Sequence, residues 1–177
     1  MDGLPAKIVA VHRALDGADL PHAFGGALAL AWCTQRARGT IDIDLNAFVG
    51  VDRLSEVLAA LPPEVAATPT DIELLERDGQ ARLWWNGTPV DLFLDTTDFH
   101  RAAATRCRWE DFGGVLLPFL SCADLAVFKA FFDRTKDWAD LEEMAAAGTL
   151  DADRVVGVLV RHLGGDDPRV AKVLALG

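Results

Sequence analysis

The stretch GTIDIDLNAFVG, residues 39–50, decides how the rest of the chain is read. Ile41, Ile43 and Leu45 alternate with Asp42 and Asp44, the period-two pattern of a strand with one apolar face. Residues two apart on a strand point to the same side, about 7 Å apart at roughly 3.3 Å per residue. Asp42 and Asp44 therefore present their carboxylate oxygens to one spot. Two close carboxylates repel, so solvent, arginines or a hard divalent cation must compensate. Mg²⁺ binds through one or two carboxylates and completes its shell with water and substrate phosphates. Taken alone, Asp-x-Asp is more often a solvated strand face than a metal site.

Upstream, Pro21 to Phe24 is a short apolar run ending at Gly25-Gly26, and ALALAWCTQ follows as a helix former without a breaker. Glycines at such a junction let a phosphate approach the backbone, and a helix N-terminus supplies free N–H groups and positive dipole. A plain turn before a helix is the simpler reading of the same residues. Farther upstream, residues 5–16 carry Ile8, Val11 and Leu15 at helical spacing.

Downstream, DRLSEVLAAL reads as a helix stopped by Pro62-Pro63. DIELLER, QARLWW and PVDLFLD read as three strands joined by tight turns at Asp78-Gly79 and Asn86-Gly87. Asp91 alternates with Val90 and Leu92. If its strand lies beside the Asp42/Asp44 strand, it supplies a third carboxylate. Asp95, farther along the same face, is its rival. One of Trp84 and Trp85 must face out of its strand, though packing against a helix is the commoner use of such a residue.

After Gly113-Gly114, VLLPFL leads to Ser121, which with Asp124 starts a helix through Phe132. A further helix runs from Asp137 through Ala147, and the tail from Asp151 is helical with a break at Gly164-Gly165. Lys129, Asp133, Lys136, Asp137 and Asp140 share one arc if the helix runs unbroken. The alternatives are i,i+4 pairs, Lys129–Asp133 and Lys136–Asp140, or Asp137 as a helix N-cap. The fold class expected is α/β (α+β), with a small mixed sheet and flanking helices. The expected organisation is a core at 1–120 and a helical part at 121–177, forming one compact unit.

At 177 residues, with 51% hydrophobic and 25% charged, the chain suits one globular domain rather than disorder. No apolar run approaches the roughly 20 residues that span a bilayer, and the N-terminal segment lacks the pattern of a signal peptide. Cys33, Cys107 and Cys122 are odd in number and far apart, so neither a disulfide framework nor a zinc site is expected, and a reducing cytoplasm is. His12, His22, His100 and His162 show no ligand spacing. The net charge of −10 argues against a general nucleic-acid binder, though not against an enzyme that grips an RNA end locally.

Together, GGALALAWCTQRARGTIDIDL resembles the signature of the nucleotidyltransferase superfamily, the DNA polymerase beta-like fold. Arg38-x-Thr40-x-Asp42-x-Asp44, followed by SCADLAVFKAFFDRTKDWADL, is similar to AbiEii-like and MenT-like nucleotidyltransferase toxins. The resemblance spans about residues 20 to 145. It implies transfer of a nucleotide from a nucleoside triphosphate to an acceptor hydroxyl. It further implies Mg²⁺, or Mn²⁺ in its place, held by Asp42, Asp44 and Asp91, with Asp91 alternatively the base. Gly25, Gly26, Arg38 (or Arg36), Thr40 and Lys129 would meet phosphate, and Asp137 would orient Lys129 or the nucleotide. The implied acceptor is the 3′ end of a tRNA, with an antitoxin protein as partner. An aminoglycoside-type small molecule and a catalytically silent binding module are the competing readings. One departure is visible: many members have Gly-Ser where this chain has Gly25-Gly26, leaving phosphate contact to backbone N–H groups or to Thr40.

Overall fold

A computed structural model describes residues 3–177. The chain divides into two compact units. One holds the residues up to Leu28 together with Gly39–Leu120; the other holds Ala29–Arg38 together with Ser121–Gly177.

The first unit is built on a mixed seven-stranded sheet. Its strands are β1 (His22–Phe24), β2 (Ile43–Ala47), β3 (Val65–Ala66), β4 (Gln80–Trp85), β5 (Thr88–Leu94), β6 (Arg108–Asp111) and β7 (Leu116–Phe119), in the order β3-β4-β5-β2-β1-β7-β6. β2 lies parallel to β5 and β1 parallel to β7, and the remaining neighbours are antiparallel. Alternation sorts the side chains of the central strands. Ile43, Leu45, Leu83, Val90 and Leu92 are fully buried, while Asp44, Arg82 and Asp91 lie on the other face. Burying the apolar row is the hydrophobic term that fixes the pleat, because a one-residue slip would expose all of it. Helices α1 (Leu4–Gly17), α3 (Leu54–Ala60), α4 (Pro69–Asp78) and α5 (Asp98–Ala103) complete this unit.

DIELLER is a helical segment within α4, not a strand. Thr68 accepts a hydrogen bond from the Asp71 N–H, and the Asp71 carboxylate accepts from the Thr68 N–H at 2.8 Å. Pro69 supplies a preset first turn. Gly79, at φ 71°, donates to the Leu75 carbonyl and closes the helix. These reciprocal caps outweigh the weak alternation of a seven-residue window. The Asp-Gly pair thus ends a helix, and of the two expected turns Asn86-Gly87 alone joins a hairpin. Ile41 is also not a core residue: it is exposed ahead of β2.

Helix α2 (Gly26–Thr34) begins in the first unit and ends in the second. The rest of the second unit is helical: α6 (Cys122–Phe132), α7 (Thr135–Ala146), α8 (Ala152–Leu163) and α9 (Pro168–Leu174). Ser121 caps α6 through the Asp124 N–H, as its sequence suggests. Leu125, Leu141, Met144, Val155, Leu159 and Val173 form the buried core. The expectation of unpaired cysteines is corrected here. Cys33 and Cys122 form a disulfide, their Cα atoms 5.6 Å apart although 89 positions separate them. Helix packing, which spacing does not report, brings them together. The bond removes the ground on which the cysteine pattern pointed to a reducing compartment. Among the described residues, no helix is long and apolar enough to cross a membrane.

Candidate functional site

The first unit gathers six of the expected positions, Gly25, Gly26, Thr40, Asp42, Asp44 and Asp91, around the start of β2. Asp44 and Asp91 are register partners on the parallel strands β2 and β5, neighbours about 4.8 Å apart across the ladder. Asp42 stands two positions before Asp44, one residue ahead of the strand. Thr40 donates its hydroxyl to Asp42 Oδ1 at 2.5 Å, so this threonine braces a carboxylate. Asp95 lies past the far end of β5, where it is buried and accepts a hydrogen bond from Arg101 Nε at 2.8 Å. Asp91, and not Asp95, is the neighbour of Asp44.

The two glycines sit against the same strand. Phe24 pairs with Leu45, and the Gly25 N–H donates to the Asp44 carbonyl at 2.9 Å. Gly26 has φ +52°, and a Cβ placed on it would run into the Asp44 carboxylate. The space that a serine side chain would take in the Gly-Ser pattern is thus filled by Asp44 itself. A Cβ on Gly25 would press on Asn46 Nδ2, at 3.0 Å. Asn46 is buried, and its Oδ1 lies 3.1 Å from His100 Nε2.

Arg82 completes this face, and the sequence reading passed it over. Its Nε and Nη2 each donate to one Asp91 oxygen at 2.7 Å. Its Nη2 also lies 3.8 Å from Asp42 Oδ2. The guanidinium is held above its ordinary pKa, first by the hydrogen bond to Asp91 and then, against some desolvation, by the charges of Asp91, Asp42 and Asp44. A signal for this residue was present. A two-residue Asn-Gly turn fixes the pairs Trp85–Thr88, Trp84–Pro89, Leu83–Val90 and Arg82–Asp91. Trp84, on the same face of β4 as Arg82, is half-exposed.

Carboxylate oxygens suit a hard divalent ion, and Asp44 presents its own directly over the side-chain-free Gly26, with Asp42 two positions before it. Among the described residues, no three His, Cys, Asp or Glu are arranged to hold a metal ion as they stand. Asp91 has both oxygens engaged by Arg82.

The second unit holds the other expected positions in an ion-pair cluster of its own residues. Lys129 Nζ lies 2.6 Å from Asp140 Oδ2 and 3.7 Å from Asp137 Oδ1, and all three side chains are buried. Arg38 also binds Asp140 through Nη1, which raises its pKa. Arg134 Nε donates to Asp137 Oδ2 at 2.6 Å. The arc of an unbroken helix does not form, because Asp133 adopts φ 54° and ends α6. Lys129 and Asp140 therefore meet across the break, and Asp133 pairs with Lys172 instead. Asp137 is the third residue of α7, where it accepts the Arg134 backbone N–H.

No protein-family model and no curated protein matches the chain. Solved structures do. The antibiotic-resistance factor ANT(2″)-Ia in solution is 17% identical, with a TM-score of 0.56 over 88% of each chain. The crystal structure of ANT(2″)-Ia in complex with adenylyl-2″-tobramycin is also 17% identical, with a TM-score of 0.56 over 98% of each chain. An antigenic nucleotidyltransferase-like protein from Paracoccidioides brasiliensis is 14% identical, with a TM-score of 0.48 over 96% of this chain and 85% of that one. The chain has a nucleotidyltransferase-like fold.

Proposed function

We propose that the protein is a metal-dependent nucleotidyltransferase that moves a nucleoside monophosphate from a triphosphate to the hydroxyl of a small cationic acceptor. The observation that carries this reading is the register of Asp44 with Asp91, with the Asp44 carboxylate packed against the Gly25-Gly26 backbone.

Asp42 and Asp44 would hold Mg²⁺ or Mn²⁺, with Asp91 joining or serving as base. When bound, such an ion would neutralise charge on the triphosphate and its departing pyrophosphate. The chain's own groups would do the rest. Backbone N–H groups at the start of α2 would face the phosphates. Asp91 would accept the proton of the acceptor hydroxyl at a carboxylate oxygen. The hydroxyl oxygen then bonds to the α-phosphorus as the bond to pyrophosphate breaks. Thr40 would keep Asp42 in place through its 2.5 Å hydrogen bond.

Two observations support a small cationic acceptor. The net charge of −10 disfavours a polyanion and attracts a polycation. The structurally similar ANT(2″)-Ia, whose complex contains adenylyl-2″-tobramycin, matches this chain over nearly its whole length. A second reading, a toxin acting on the 3′ end of tRNA and restrained by an antitoxin protein, is favoured by the late motif. Its Lys129, Asp137 and Asp140 form one buried network, and the exposed Arg38 of the earlier element joins it through Asp140.

The test is a transfer assay with each labelled triphosphate against a panel of aminoglycosides and against total tRNA. Label on the drug supports the first reading, and label on tRNA supports the second. Asp44→Ala should abolish either transfer while the circular dichroism spectrum stays native. Full transfer by a folded Asp44→Ala protein would remove the site assignment.

A further inference from the structure

Among the described residues, Arg82 is the one strong cation placed on the carboxylate face of β4 and β5, and nothing in the reaction proposed above uses it. Its fork takes both oxygens of Asp91 at 2.7 Å. The same guanidinium stands 3.8 Å from Asp42 Oδ2. It lies on the neighbouring strand to Asp91, whose other neighbour is Asp44. A single +1 charge thus faces the three carboxylates from one side.

We propose that Arg82 is a positioning residue that occupies the cation place of this site in the free protein and must release Asp91 before a divalent ion can engage it. The inference rests on the nucleotidyltransferase reading, because it assumes that the ion's place is at Asp42, Asp44 and Asp91.

The physical case is one of exclusion. An ion ligated by Asp91 would sit beside that carboxylate at about 2.1 Å. The guanidinium lies within hydrogen-bonding distance of the same oxygens, so two cations would share one anion at contact range. A bidentate pair of N–H···O⁻ bonds is among the stronger neutral-pH contacts a carboxylate makes, and the ion has to displace it. Arg82 is half-exposed, with a side-chain exposure of 48% against 17% for Asp91. The arginine therefore has room to swing away, while Asp91 is held by its strand. A planar fork released beside a triphosphate has a natural new partner in a phosphate oxygen. Triphosphate should then promote ion binding by drawing Arg82 off, and the ion should promote triphosphate binding by the same factor.

The experiment is Mn²⁺ binding followed by the loss of its free-ion electron paramagnetic resonance signal, with and without a non-hydrolysable triphosphate. Wild type, Arg82→Gln and Arg82→Lys are compared, each also carrying Asp44→Asn to mark binding that belongs to this site. Without nucleotide, Arg82→Gln should bind Mn²⁺ more tightly than wild type, on the order of tenfold, the usual scale of such coupling. Arg82→Lys, which keeps the charge without the fork, should fall between them, and it reads the same comparison if Arg82→Gln does not fold. Nucleotide should tighten Mn²⁺ binding more in wild type than in Arg82→Gln. Asp44-dependent binding that is equal or weaker in both variants overturns the role of Arg82 and leaves the metal reading standing. Absence of Asp44-dependent binding in every protein overturns both.

Discussion

Gly26 faces Asp44 so closely that a Cβ on the glycine would overlap the carboxylate, and the glycine holds φ +52°. This pairing links the start of α2 to the middle of the carboxylate cluster. A side chain at position 26 has two costs, a left-handed backbone and the displacement of Asp44. Gly26→Ala should therefore lower stability by about 1–2 kcal/mol through the backbone alone. It should also abolish transfer, because Asp44 has to turn away from the site. Thermal melting and the labelled-triphosphate assay check the two effects separately. A variant with native transfer would show that Asp44 does not need its present rotamer.

The Lys129 ammonium is buried between Asp137 and Asp140. Removing one member of a buried ion group leaves uncompensated charge, which costs about 3–5 kcal/mol. Arg38 and Arg134 still partner the two carboxylates, so Lys129→Met should lie near the low end, about 3 kcal/mol. Urea unfolding of Lys129→Met, Asp140→Asn and the double variant checks this. The double variant should be more stable than the sum of the single losses predicts, since it removes both charges at once. Strict additivity would mean that the pair is not coupled.

Much of the carboxylate site was legible in the chain, and for identifiable reasons. Alternation put Asp42 and Asp44 opposite Ile43 and Leu45, and burial then held that face. The Asn86-Gly87 turn set the β4–β5 register, which already contained the Arg82–Asp91 pair. Arg82 went unread because cross-strand partners must be counted back from the turn residue by residue. DIELLER reads as a strand in isolation because its helix signal needs the flanking residues, Thr68 capping through Asp71 at one end and Gly79 at the other. The short strand β6 and helix α5 carried too few apolar residues to show a period. The Cys33–Cys122 bond was out of reach, since it depends on how two helices pack and not on any local pattern.

That disulfide joins two cysteines of the helical unit and closes a loop of 89 positions, most of which belong to the sheet-bearing unit. Cross-linking residues so far apart restricts the unfolded chain, and the chain-entropy account gives roughly 4–5 kcal/mol for such a loop. Reduction should lower the urea midpoint clearly, and the Cys33→Ser/Cys122→Ser variant should unfold at that lower midpoint with or without reductant. Cys107, which is outside the bond, should leave the midpoint unchanged when replaced by serine. A midpoint indifferent to reductant would mean that the bond contributes nothing to stability in solution.

The pairing of His12 with His22 gives the first unit a dependence on pH with a definite sign. His22 Nδ1 lies 2.8 Å from the Leu20 carbonyl, and its Nε2 lies 3.0 Å from His12 Nδ1. A carbonyl only accepts, so His22 Nδ1 carries the proton and its Nε2 is the acceptor of the His12 N–H. Protonating His22 Nε2 would set one N–H against another. Burial is the main cause that holds the pKa of both rings below 6.5. Both groups bind protons more readily in the unfolded chain than in the folded one. Their contribution is therefore fully present above pH 6.5 and is lost as pH falls from there through the folded values. Paired carboxylates lose stability in the same direction, so the test is a difference in slope. Urea midpoints measured from about pH 8 to about pH 5 should fall less steeply for His12→Gln/His22→Gln than for wild type. Parallel slopes would show that the two rings are already protonated, or already exposed, in the folded protein.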